Sequence, residues 1–256
     1  MIEVRDLHKA YGATTAVAGV SFDVRSGETF GLLGPNGAGK TTTIGMLTGV
    51  LAPDGGSIHV NGQGSPAEPG TRSQLGVALQ ALSLYEELSA AENLMFFARL
   101  YKLTGVRLRE RVEWALEFAG LADRRKDRVK TYSGGMKRRL NLAVALVHDP
   151  QVIFLDEPTA GVDPQSRNHI FERIELLRAE GRTVVYTTHY MEEAQRLWDR
   201  VAIMDHGKIL DLDTVPALVD RYGGRSVVKA ELSRSPADQA VLPAPLDGLS
   251  LRFEPD

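Results

Sequence analysis

The chain contains no cysteine. Disulfides and thiolate metal sites are therefore excluded, and a reducing compartment suits it. It also lacks any apolar run close to the roughly 20 residues needed to cross a bilayer; the longest runs, 151–155 and 140–147, read as core. The first residues, Met1-Ile2-Glu3-Val4-Arg5-Asp6, offer no apolar signal core behind a basic start. A soluble protein is expected, with any membrane role exercised through a partner. The net charge is only −3, so no global basic field calls for nucleic acid or an anionic membrane. No internal repeat or low-complexity tract is visible. The histidines outside the site discussed below, His8, His59, His148, His169 and His206, have no ligand spacing, and no zinc site is expected.

What remains is an ordinary globular composition, 43% hydrophobic and 25% charged over 256 residues. This length allows one large domain, or one domain with a small appendage. In the first third, Val20, Phe22 and Val24 alternate with polar residues and predict a half-buried strand over 17–24. Thr29 to Leu33 reads as a buried strand, Lys40 to Val50 as a helix, Pro53-Asp54-Gly55-Gly56 as a turn and Ser57 to Val60 as a strand.

The middle is helical. Ser89-Ala90-Ala91-Glu92 is a capping box, followed by Leu94, Phe97, Ala98 and Tyr101 on one face. A second helix from about Arg107 presents Val112, Leu116 and Ala119 and stops at Gly120. A third follows Gly135 with Leu140, Ala143, Val144 and Val147 aligned. The last part alternates. Val152 to Leu155 is a strand, and Asp163-Pro164 an N-cap with proline at the first helical position. Ile170, Ile174 and Leu177 face inward on a helix ending at Gly181, and Arg182 to Thr187 is a strand. Arg200 to Met204 and Lys208 to Leu212 flank a hairpin turn at Asp205-His206-Gly207. Such alternation predicts an α/β fold, a mostly parallel sheet with helices on both faces. Composition shifts after Tyr222-Gly223-Gly224. A domain over 1–222 is expected, with a helical subdomain at about 88–148. A short appendage over 223–256 would contain strands at 226–232 and 249–253.

Two motifs carry chemistry on their own terms. Gly34-Pro35-Asn36-Gly37-Ala38-Gly39-Lys40-Thr41 fits G-x-x-x-x-G-K-[ST]. Its glycines let backbone N–H groups turn inward around phosphates, and the next helix offers its positive end. Lys40 can reach the β- and γ-phosphates, the Thr41 hydroxyl can ligate Mg2+, and Thr42 can touch a phosphate oxygen. Val152 to Glu157 is four apolar residues ending in two carboxylates. Asp156 is placed to hold the Mg2+ shell and Glu157 to polarise an attacking water. A buried acid pair is costly unless paired or metal-bound.

Tyr132-Ser133-Gly134-Gly135-Met136 resembles the signature of ATP-binding-cassette (ABC) proteins, usually Leu-Ser-Gly-Gly-Gln. Ser133, Gly134 and Gly135 match; Tyr132 and Met136 depart, which puts the glutamine's polar contact in doubt but not the anion cradle at the helix start. Together with Pro158 to Arg167 and Thr187 to Ala194, the resemblance is to drug-exporter-type ATP-binding subunits of the daunorubicin-resistance kind. It covers about Ile2 to Asp220. It implies a P-loop ABC cassette, a parallel core with an antiparallel β subdomain and a helical subdomain. By the same resemblance Tyr11 stacks on adenine, Gln80 senses Mg2+ and water, Asp163 is the D-loop aspartate of the cofactor site, and His189 contacts the γ-phosphate. The segment Ala81 to Ala91 would face a membrane partner. ATP and Mg2+ are the implied cofactors. The implied partners are a separately encoded permease and a second, identical cassette whose Ser133 and Gly135 complete each site, all at the cytoplasmic face of the membrane. An import subunit and a soluble, non-transport ABC ATPase are the alternatives.

Overall fold

The computed structural model describes residues 2–62 and 64–222; the expected appendage and its strands at 226–232 and 249–253 lie outside these. The strands are β1 (Ile2–Tyr11), β2 (Thr14–Val24), β3 (Thr29–Leu33), β4 (Gly55–Val60), β5 (Leu75–Ala78), β6 (Val152–Asp156), β7 (Thr183–Thr188), β8 (Arg200–Asp205) and β9 (Lys208–Thr214). The helices are α1 (Lys40–Leu47), the single turn α2 (Pro69–Arg72), α3 (Ala90–Leu100), α4 (Gly105–Phe118), α5 (Gly134–Leu146), α6 (Pro164–Ala179), α7 (Met191–Leu197) and α8 (Val215–Tyr222).

Two sheets form. One is antiparallel, ordered β2-β1-β4. The other is ordered β5-β6-β7-β3-β8-β9, parallel except for the β9 edge. Alternation along the central strands divides the core between the two faces of this sheet. Phe30, Leu32, Val152, Phe154 and Val185 point toward the antiparallel sheet and α1. Leu33, Ile153, Leu155, Val184 and Tyr186 point toward the residues of α3, α4, α5 and α6. Stacked Phe22 and Phe30 rings, 5.2 Å between centroids, join the two sheets.

The expected elements are present, with shifted ends. Helix α1 stops at Leu47 rather than Val50, because Thr48 caps it and Gly49 turns back with φ of 70°. Helix α4 starts at Gly105. The His206-Gly207 turn has φ of 44° and 75°, the paired positive angles a two-residue hairpin favours. Strands β1 and β5 and helices α2, α7 and α8 are additions to the sequence reading.

The loop between β5 and α3 is held unusually well. Buried Asn93 accepts from the Tyr85 amide at 2.8 Å and donates to the Tyr85 and Ser89 carbonyls at 3.0 and 2.9 Å. Asn141 accepts from the Ser83 amide at 3.0 Å, and the Ser89–Glu92 capping box is formed. Removing a buried amide that satisfies several backbone groups costs about 2–3 kcal/mol. Asn93→Ala should lower unfolding stability by about that amount in urea, with the m-value unchanged; a loss under about 0.5 kcal/mol would show that water replaces the amide at no cost.

Candidate functional site

Parallel strands deliver the site, as their carboxyl ends do in open α/β sheets. Strand β3, buried throughout, ends at Leu33 and releases the chain into the 34–39 loop before α1. Gly39 has φ of 99°, and a Cβ there would fall 2.4 Å from the Ala16 carbonyl oxygen. No other residue type fits both restrictions. The loop is braced by the β8–β9 turn, since Gly207 donates to Ala38 O at 3.1 Å and accepts from Ala18 N at 2.8 Å. Buried Lys40 folds back over the loop and donates to Gly34 O at 2.7 Å and Pro35 O at 3.0 Å. Its hydrogen bonds are thus to carbonyls that it can exchange for a stronger acceptor. Thr42 follows on α1, half-buried.

Strand β6 brings in the two acids. Asp156 Oδ1 accepts from Thr187 Oγ1 at 2.5 Å and from Thr41 Oγ1 at 3.3 Å. Its Oδ2 is buried with no hydrogen-bond partner. An orphaned carboxylate oxygen beside a threonine hydroxyl is a hard, all-oxygen donor set, and it fits a divalent cation of the Mg2+ type. Glu157 takes φ of 46°, a left-handed conformation costly for its residue type. Its amide donates to both Thr187 O and Thr187 Oγ1 at 3.1 Å, and the turn aims its carboxylate back into the site. Gln80 Nε2 donates to Oε2 at 3.2 Å. His189 Nδ1 lies 3.2 Å from Oε1, and Lys40 Nζ 3.7 Å from the same oxygen. An ionised carboxylate only accepts, so Nδ1 carries the proton and Nε2 is left for another partner.

Arg138, on α5, was not anticipated. Its buried guanidinium donates to Gln80 O at 2.7 Å and Ala160 O at 3.4 Å, tying two loops to α5. Burial lowers its pKa from the usual guanidinium value, opposed by Asp156 and Glu157. One turn earlier, Ser133 caps α5 by accepting from Met136 N at 3.2 Å. Gly135 is required there, because a Cβ would sit 2.0 Å from Ser166 Oγ. The two departures from the signature have structural occupations. Tyr132 is buried, and its hydroxyl donates to Arg124 O at 2.7 Å. Met136 packs on the helical core.

The sequence model of a family described as "ABC transporter" matches residues 17–160. The chain belongs to the ABC transporter ATP-binding family. It is 46% identical over 234 residues to the linearmycin resistance ATP-binding protein LnrL of Bacillus subtilis (strain 168), covering 91% of this chain and 75% of that one. It is 44% identical over 223 residues to the daunorubicin/doxorubicin resistance ATP-binding protein DrrA of Streptomyces peucetius, covering 87% and 68%. A solved ATP-binding subunit of an ABC transporter superposes with a TM-score of 0.79 at 30% identity, covering 89% and 95%. This membership makes the chain an ATPase coupled to transport, with ATP as its nucleotide, and places it on the drug-exporter-type branch.

Within this one ABC subunit, Lys40, Thr41, Gln80, Asp156, Glu157 and His189 converge. Residues 34–39 and Thr42 adjoin that cluster, while Tyr11, Ser133, Gly134, Gly135 and Asp163 lie on other segments. Tyr11 is exposed at the end of β1, next to the hairpin whose Ala16 abuts Gly39. Ser133 and Gly134 are exposed. Asp163 caps α6 by accepting from Ser166 N at 2.9 Å, and that bond lowers its pKa from the ordinary carboxylate value. Gly39→Ala should weaken ATP binding at least about tenfold, or about 1.4 kcal/mol, by forcing the loop off Ala16. Calorimetric titration with ATP checks this, and an unchanged Kd would show that the cradle tolerates the shift.

Proposed function

We propose that two copies of this chain close on two ATP·Mg2+ and thereby power export through a separately encoded membrane permease at the cytoplasmic face of the membrane. The observation that carries this reading is the Glu157 carboxylate, held at once by Gln80, His189 and Lys40 beside the orphaned oxygen of Asp156. Such a carboxylate can accept a proton from a water on one side while its neighbours keep it aimed.

The role of each residue follows from its surroundings. The 34–39 loop and the first amides of α1 take the phosphates. Lys40 exchanges the Gly34 and Pro35 carbonyls for phosphate oxygens, each charge-assisted bond contributing about 1.5–3 kcal/mol. Thr41 and Asp156, with Gln80, would hold Mg2+, which would supply positive charge against the phosphates. Glu157 is the base, and His189 offers Nε2 to the γ-phosphate. Thr42 supports the phosphates and Tyr11 stacks on adenine. Catalysis of this kind is positioning and electrostatics.

Ser133 and Gly134 are exposed at the start of α5, and Gly135 is buried there against Ser166, on a segment other than those that carry the cluster of their own subunit. They and Asp163 serve the site of a second copy, so that ATP joins the subunits. Relatives named for linearmycin and daunorubicin resistance support export of a drug-like compound as the transport direction.

Glu157→Gln should keep ATP affinity within about threefold, lower kcat by about a hundredfold or more, and accumulate ATP-bound dimer in size-exclusion chromatography. Hydrolysis at the wild-type rate would remove Glu157 from the role of base. Tagged protein recovered from detergent-solubilised native membranes should bring with it an integral membrane protein with about six spanning helices, identified by mass spectrometry. A secreted binding protein in the same complex would turn the reading to import, and recovery with ribosomes or repair factors would end the transport reading.

A further inference from the structure

One buried polar cluster is not used by the proposed mechanism. Thr159, Tyr186 and Glu193 are almost wholly inaccessible, at 1%, 0% and 3% exposure. Thr159 Oγ1 donates to Glu193 Oε1 at 2.7 Å, and the Tyr186 hydroxyl donates to Oε2 at 2.8 Å. The two hydroxyls lie 3.4 Å apart. Glu193 makes no ion pair among the described residues, so a buried carboxylate is held by hydroxyls alone. Such a group is expensive to bury and expensive to strip of its donors. Burial, and then the Glu193 carboxylate, hold the Tyr186 hydroxyl protonated well above its ordinary range, so the donor is permanent.

The three residues come from the three segments that carry the catalytic end of the site. Thr159 lies two residues after Glu157, in the turn closed by the Ala160 N to Glu157 O bond of 3.1 Å. Tyr186 precedes Thr187, which binds both Asp156 and the Glu157 amide. Glu193 sits in the first turn of α7, which begins just after His189. An opening of about 240 Å3, lined among others by Pro164, Arg167, Phe171, Tyr190 and Glu193, lies between α6 and the start of α7.

We propose that Glu193 is a positioning residue that sets the His189–Glu157 contact, tying the start of α7 to the strand and turn that carry the rest of the site. It touches no nucleotide and acts through His189. The proposal rests on the reading of Glu157 and His189 given above. Glutamine can replace it, since its amide accepts from one hydroxyl and donates to the other; alanine cannot.

Two readouts test the tie in the full-length chain. In nucleotide-free protein labelled with 15N-histidine, the His189 imidazole resonances, assigned by their loss in His189→Gln, should move toward those of a free ring in Glu193→Ala and stay in place in Glu193→Gln. In ATPase assays, Glu193→Ala should lower kcat about tenfold or more with KM for ATP within about twofold. The same change made on a His189→Ala background should cost nothing further. Unmoved His189 resonances in Glu193→Ala, losses that multiply in the double variant, or a glutamine variant as deficient as alanine would each overturn the proposal. If Glu193→Ala does not fold, Thr159→Val and Tyr186→Phe each remove one donor, and the same readouts apply. A His189→Ala variant with wild-type kcat would sink the role of His189 in catalysis, while the resonances still decide the tie.

Discussion

Two adjacent carboxylates at the end of a buried strand are the constraint around which this site is built. Asp156 and Glu157 are both nearly inaccessible, and like charges so close oppose each other and the loss of water. The chain separates them by rotation. The left-handed backbone at Glu157 turns its side chain away from that of Asp156 and toward Lys40, Gln80 and His189. Thr187 stabilises both halves of this arrangement, since one hydroxyl serves Asp156 while its carbonyl accepts from the Glu157 amide. The remaining imbalance is the unpartnered Asp156 oxygen. A backbone outlier and an orphaned buried oxygen are the two kinds of defect a folding sequence avoids unless a bound group compensates.

The same strand order that brings the acids together also gathers the loops around them. Strand β7 lies between β3 and β6, so the cradle, the acids and His189 leave three neighbouring strand ends. Arg138 reaches in from α5 to the carbonyls of Gln80 and Ala160. Lys137 on the same helix pairs with Glu86 at 2.6 Å, and Lys130 pairs with Glu87 at 2.9 Å. The loop at 80–89, the segment entering α5 and the turn after Glu157 are therefore cross-linked by charge and hydrogen bonds. Exposed ion pairs add little stability individually; here their effect is to limit how far one loop can move without the others.

Much of this was legible in the residues. Glycine spacing, the run from Val152 to Glu157, the Ser89–Glu92 capping box and the Asp163-Pro164 start are local signals, and local structure follows them. Strand β1 was hidden because Asp6, at φ of 47°, interrupts its alternation and shifts the register between Val4 and Leu7. Strand β5 is four residues with a glycine, and α7 is seven residues opening with two glutamates; neither shows a clear period. Arg138 and Glu193 were not legible as site residues. In sequence, each is one charge among several on a helix. Only the fold shows that one reaches the carbonyls of both Gln80 and Ala160 and that the other is a buried carboxylate without an ion pair among the described residues.

The signature segment keeps its backbone form where its side chains depart from the usual motif. Leucine and glutamine at its two ends are replaced by Tyr132 and Met136. Tyr132 is spent on the subunit's own core, where its ring is buried and its hydroxyl satisfies Arg124 O. Met136 has no side-chain donor for a phosphate, but its amide closes the Ser133 cap. What an anion needs from this position is a capped helix end with backbone close to the surface. Ser133 and Gly134 present that surface, and Gly135 keeps the helix end pressed on Ser166. The substitutions thus fall on side chains, while the capped helix start on which the proposed contact with a second subunit depends is retained.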